Sequence, residues 1–232
     1  MQPIAALPRF LQPIPPKQIQ IVDKTWMLSN PGYNEVVAEI DGEIFIFDST
    51  QGEARAALDA DAIHKLFPGQ HKINVVVTDL AWPHIAGVRY WVAQGATIIA
   101  HTANRDFLQK VIDRRWTASP DSLEQLRTKN PRAARLDFVA VNTPTPFAHG
   151  KLRLAPLDGI GSEVALMAFL PNDKFLWASD FIQTLDSPSQ YAKEVIEAAQ
   201  RASIQPERVA AEHLPISNWA DILKAQAPAT PK

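Results

Sequence analysis

The chain has 232 residues, 46% hydrophobic and 21% charged, with a formal net charge of −2, an ordinary globular composition. No basic stretch gives an electrostatic footprint for nucleic acid, and no apolar run, residues 164–170 included, approaches the ~20 residues of a membrane-spanning helix. The absence of cysteine excludes disulfides, thiolate metal sites and cysteine nucleophiles, and it suits cytoplasm and periplasm equally.

Five prolines fall within the first 16 residues (Pro3, Pro8, Pro13, Pro15 and Pro16). This predicts an extended surface arm over residues 1–19, without the charged-then-apolar layout of a secretory leader. A body follows over 20–225, and a short tail, 226–232, carries Pro228 and Pro231. Strands are expected at 19–28, 34–40 and 43–48, the last two joined by Asp41-Gly42, a strong hairpin signal. A helix is expected over 51–67, ended by Pro68-Gly69. The β-branched run 73–77 reads as a buried strand. Then come a helix at 84–94, a strand at 97–100 and a helix at 104–116. Residues 117–135 show no clear period. Strands are expected again at 136–141, 151–157, 163–170, 174–179 and 208–211, with helices at 191–202 and 219–225. Strands followed by helices, twice over, predict two stacked sheets with helices outside.

The stretch 75–87, VVVTDLAWPHIAG, resembles the signature loop of the metallo-β-lactamase superfamily. There, an apolar strand ends in Thr-His-x-His-x-Asp-His. PGYNEVVAEIDGEIFIFDST before it is similar to the family's first hairpin, and GVRYWVAQGATIIAHTANRDFL after it is similar to the following helix, strand and helix. FLPNDKFLWASD resembles the segment that delivers a late bridging Asp, and RVAAEHLPISNWADIL the one that delivers the last His. The resemblance spans roughly residues 20–225. It implies a four-layer αββα sandwich and a hydrolytic centre of two metal ions, usually zinc, held by His and Asp.

Carried over residue by residue, the resemblance puts Asp79 at the first His, Ala81 at the second, Pro83 at the loop Asp and His84 at the third His. Gly161 stands at the next His, Asp180 at the bridging Asp and His213 at the last His. Alanine, proline and glycine side chains have no donor atom. One ion's ligand set is therefore reduced to Asp79, whereas His84, Asp180 and His213 survive from the other. Two imidazoles and a carboxylate can hold one divalent ion.

Plainer roles stand beside these. His84 suits a helix start, His213 a structural hydrogen bond, and Asp180 a strand-end carboxylate accepting backbone N–H groups. Asp79 is a catalytic candidate or a loop carboxylate that pairs with His84 or His213. Asp48 reads as architectural. Trp82 either fills space vacated by metals or lines a ligand pocket, and it is the candidate substrate-binding residue. The first expectation is a metallo-β-lactamase-like protein without two-ion hydrolysis, with a binding role. The alternative is a mononuclear hydrolase using His84, Asp180 and His213. The expected cofactor is none, or one zinc or iron ion, and the expected partner is a small molecule in the former active-site cleft. Oligomeric state has no signature in the chain.

Overall fold

The structure, a computed structural model, describes residues 14–227. Most of the expected arm and tail, residues 1–13 and 228–232, lies outside the described residues.

Strand β5 (Ile73–Val77) buries four of its five side chains, as a β-branched run covered on both faces should. Its sheet runs in the order β1-β2-β3-β4-β5-β6-β7, with β1 (Lys17–Val22), β2 (Thr25–Asn30), β3 (Tyr33–Ile40), β4 (Glu43–Phe47), β6 (Thr97–His101) and β7 (Asp137–Val141). Pairing is antiparallel from β1 to β4 and parallel from β4 to β7. The second sheet runs β13-β12-β11-β10-β9-β8: β8 (Thr145–Phe147), β9 (Leu152–Pro156), β10 (Leu166–Leu170), β11 (Phe175–Trp177), β12 (Arg208–Ala210) and β13 (Ser217–Asn218). Within it only β11 and β12 are parallel.

The two-residue period of the strands sorts the core into layers. Phe45, Phe47, Val76 and Ile99 point inward, to meet Phe175 and Trp177 of the opposite sheet. Their neighbours Ile44, Ile46, Val75 and Ile98 point outward. They are covered by α1 (Glu53–Leu66), α3 (Val88–Ala93), α4 (Arg105–Asp113) and α5 (Ser122–Lys129). The far face of the second sheet packs under α6 (Gln190–Arg201) and α7 (Trp219–Gln226). The result is the expected αββα sandwich. Each fully buried Val, Ile or Phe contributes about 1.5–3 kcal/mol to it.

Several boundaries differ from expectation for local reasons. The strand expected at 19–28 is a hairpin, turned at Lys24 with φ 56°. Strand β1 therefore takes Lys17, Gln18 and Ile19 from the segment read as an arm. The helix expected at 84–94 is two pieces, α2 (Trp82–Ile85) and α3. They break at Gly87, whose N–H donates to the Ser49 carbonyl at 2.9 Å. A Cβ on Gly87 would lie 2.1 Å from Ser49 Oγ, so only glycine allows this approach. Helix α5 lies in the stretch that showed no period. Its signal is Asp121, whose side chain accepts the Glu124 N–H, an Asp-x-x-Glu helix start. Strand β10 begins at Leu166 because Val164 turns the chain at φ 61°.

Candidate metal centre and adjoining cleft

In parallel strands the chain leaves at one common edge, and ligand sites form outside the carboxyl ends. β4 and β5 are such a pair, followed at once by Asp48 and Thr78; β11 and β12 are another, with Trp177 opposite Ala210. The loops carrying Asp79, His84, Asp180 and His213 therefore meet at one rim.

A buried clamp holds that rim together. Asp48 accepts the Thr78 N–H (2.8 Å), the Thr78 hydroxyl (2.5 Å) and the indole N–H of Trp177 (2.8 Å). With its single hydrogen given to Asp48, Thr78 Oγ1 accepts from Ser179 Oγ at 2.6 Å. Asp48 and Ser179 both take positive φ, 66° and 54°, strain that the surrounding bonds must hold. Thr78 and Ser179 immediately precede Asp79 and Asp180, so this network sets where both carboxylates emerge.

His84 Nε2 lies 2.6 Å from Glu212 Oε2 and 4.0 Å from Asp180 Oδ2. Its Nδ1 lies 3.1 Å from Asp79 Oδ1, an ion-pair contact off the axis of an aligned hydrogen bond. His213 Nε2 is 3.2 Å from Asp180 Oδ1, and its Nδ1 is 2.5 Å from the Gly32 carbonyl. A carbonyl can only accept, so Nδ1 of His213 carries a hydrogen, and Nε2 is the ring nitrogen that faces the cluster. His84, Asp180, Glu212 and His213 each offer one ligand atom, and all four atoms lie within 4.8 Å of one another. The Tyr33 ring leans on His213, with centroids 4.9 Å apart.

Three of these residues, His84, Asp180 and His213, are the ones sequence reasoning named together. Asp79 stands behind His84, on the ring nitrogen away from the cluster. Glu212 was missed. The family resemblance offers no ligand at that position, and the only local signal is a carboxylate next to His213. The residue is fully buried, with its backbone fixed on both sides. Its N–H donates to the Ser179 carbonyl (2.9 Å), and its carbonyl accepts from Asn34 N–H (2.8 Å).

The electrostatics are those of crowded carboxylates around one imidazole. Burial alone would lower the His84 imidazolium, but Asp79 and Glu212 outweigh it and push the group up to about 11. Burial raises Glu212 to about 9 against the pull of His84, and raises Asp180 against His84 and His213. Within the tightly coupled His84–Glu212 pair, the firm direction is an imidazole held protonated by its carboxylate neighbours. Both Glu212 oxygens lack an aligned hydrogen-bond donor among the described residues. A buried carboxylate in that state costs several kcal/mol unless a cation compensates it. The donor set of two imidazoles and two carboxylates suits a divalent ion such as zinc or iron.

The remaining expected ligand positions supply nothing. Ala81 and Pro83 have no donor atoms. Gly161 sits on a loop pinned to α6, where Glu194 accepts the Ser162 hydroxyl at 2.6 Å and the Gly161 N–H at 3.2 Å. A Cβ on Gly161 would lie 2.2 Å from Tyr191 Cε1. Trp82 does not fill vacated space. It is 55% exposed and stands on the wall of a cleft of about 720 Å³ that runs from His213 and Tyr33 to Trp116.

No protein-family model matches the chain, and no curated protein does so significantly. Solved structures do match. The DIM-1 metallo-β-lactamase superposes with TM-score 0.66 at 14% identity, covering 91% of this chain and 95% of its own. The chain has the metallo-β-lactamase fold. A metallo-β-lactamase from Pontibacter korlensis gives TM-score 0.66 at 15% identity, covering 91% and 97%. FIM-1 from Pseudomonas aeruginosa, solved in a mono-zinc form, gives 0.65 at 13%, covering 93% and 96%. Within this metallo-β-lactamase fold, a candidate metal-binding group lies at the shared strand edge. No helix among the described residues is long and apolar enough to cross a membrane.

Proposed function

We propose that the protein binds one divalent metal ion through His84, Asp180, Glu212 and His213, and acts as a single-ion hydrolase on a small molecule in the adjoining cleft. The second ion's site has been lost. The observation that carries this reading is the convergence of four ligand atoms within 4.8 Å, one of them from a buried carboxylate without an aligned donor. Ala81, Pro83 and Gly161 leave no equivalent set for a second ion.

A divalent ion in such a site polarises a carbonyl and makes water acidic enough to attack at neutral pH. The chain's own residues do the positioning. Asp79 faces Nδ1 of His84 and orients Nε2 toward the cluster. The Gly32 carbonyl does the same for His213. Asp48 fixes the two strand ends from which Asp79 and Asp180 project.

A second reading is a metal-free binding protein. The short His84–Glu212 and His213–Asp180 contacts support it, because they balance charge within the cluster without an ion. Elemental analysis of protein purified without chelator, from zinc- and iron-supplemented cultures, separates the two. The first reading expects one ion per chain, reduced to a trace in Glu212→Ala and His84→Ala. Metal-free wild-type protein would leave the second reading standing, and two tightly held ions would defeat both.

A further inference from the structure

The cleft beside the cluster has an unusual charge state: its charged walls are already spent. Arg89 forks onto Asp121, with Nε at 2.5 Å and Nη2 at 3.0 Å, and its Nη1 donates to the Ile112 carbonyl at 2.9 Å. Arg55 lies 2.7 Å from both oxygens of Asp59 and donates to the Leu28 carbonyl at 2.9 Å. Glu53 accepts the Ser122 N–H at 2.9 Å. Each guanidinium is at least nine-tenths buried with its carboxylate partner, so neither is available to a ligand anion. An anion entering here would lose its hydration without gaining a cation.

What the cleft does offer is aromatic surface. Trp82, Tyr90, Trp116 and Tyr33 line it, and the Arg89 guanidinium already covers the Trp116 ring, 4.9 Å from its centroid. The cleft's 720 Å³ falls within the range of small-molecule sites.

We infer that the cleft is a binding site for an uncharged molecule with a planar aromatic body, held by the aromatic walls, and that it discriminates against carboxylates. This deepens the one-ion reading by naming the ligand class of the same cleft. The cleft's selectivity comes from the protein walls and does not require an ion.

Ligand-observed NMR titration tests it with two probes of one shape: 2-naphthamide and 2-naphthoate. Each is titrated into metal-loaded and into chelator-treated full-length protein. The amide should bind at least tenfold tighter than the carboxylate in the chelator-treated protein, where no ion can attract the anion. Trp82→Ala, at an exposed position, should weaken the amide about fivefold or more. Ala86→Trp, at the wall of the cleft, should block both. Naphthoate binding as tightly as the amide without metal, no saturable binding by any probe, or binding untouched by Ala86→Trp would each overturn the proposal. Metal content measured on the same samples decides the one-ion reading separately.

Discussion

The carboxylate of Asp48, at the end of β4, accepts the indole N–H of Trp177 in β11 at 2.8 Å, and so joins the two sheets directly beneath the cluster. The same carboxylate holds the backbone and hydroxyl of Thr78. Replacing it by alanine leaves buried donors on Thr78 and Trp177 without an acceptor, at about 1–3 kcal/mol each. Asp48→Ala should therefore destabilise the fold by about 3 kcal/mol or more in urea unfolding, with Asp48→Asn intermediate because it keeps one acceptor. An unchanged urea midpoint in Asp48→Ala would show that the clamp contributes nothing.

Stability of the chelator-treated protein should fall as pH rises from 5 to 9. Burial raises Asp48 to about 6. Burial, with Glu35 nearby, raises Asp59 to about 8, and burial raises Glu212 to about 9. In each case the folded state binds its proton more tightly than the unfolded chain, so stability is lost as pH climbs through the window between the two values. His84, raised by Asp79 and Glu212 to about 11, has the same sign: its contribution is complete below the unfolded value near 6.5 and declines above it. Carboxylates held low, such as Glu124 at about 2 beside Arg115, change stability only below about pH 4.5. Urea midpoints at pH 5.5 and 9 check the sign; a midpoint that rises with pH contradicts it. Added zinc should remove the part of the loss that comes from His84 and Glu212, because the ion replaces the protons that the cluster retains.

Asp79→Asn should weaken metal binding by about 10–100-fold, the usual effect of losing a carboxylate behind a histidine ligand. The fold should stay intact, since Asp79 is only half-buried on a loop. Competition against a chromogenic chelator measures the change. Equal affinity in Asp79→Asn and wild type would mean that Asp79 plays no part in orienting His84.

Gly87→Ala should destabilise by about 1–3 kcal/mol, the range for overpacking a filled site. The added methyl would meet Ser49 Oγ at 2.1 Å and Ala56 Cβ at 3.0 Å, and Ser49 also accepts the Trp91 indole N–H at 2.9 Å. Thermal unfolding of Gly87→Ala with and without Ser49→Ala provides the check. Ser49→Ala alone also leaves the Trp91 indole N–H without its acceptor, so if the hydroxyl is the obstacle the pair should lose clearly less than the sum of the two single variants.

The amino-acid order by itself determined the layered architecture and the absence of a side-chain donor at positions 81, 83 and 161. Runs such as Ile73–Val77 and the Asp41-Gly42 turn are local signals that strand and hairpin physics reads directly, and alanine, proline and glycine lack ligand atoms in any conformation. It also placed His84, Asp180 and His213 together, because the family resemblance supplies the frame in which distant loops meet. Sequence could not deliver Glu212. Whether that carboxylate faces the cluster depends on direction and burial, and those come from its backbone N–H bond to the Ser179 carbonyl beyond the parallel β11–β12 pair. Nor could it show that Arg89 is neutralised, since it finds Asp121 across 32 positions. Whether a charged side chain remains free for a ligand is decided by which partner tertiary packing brings within hydrogen-bond reach.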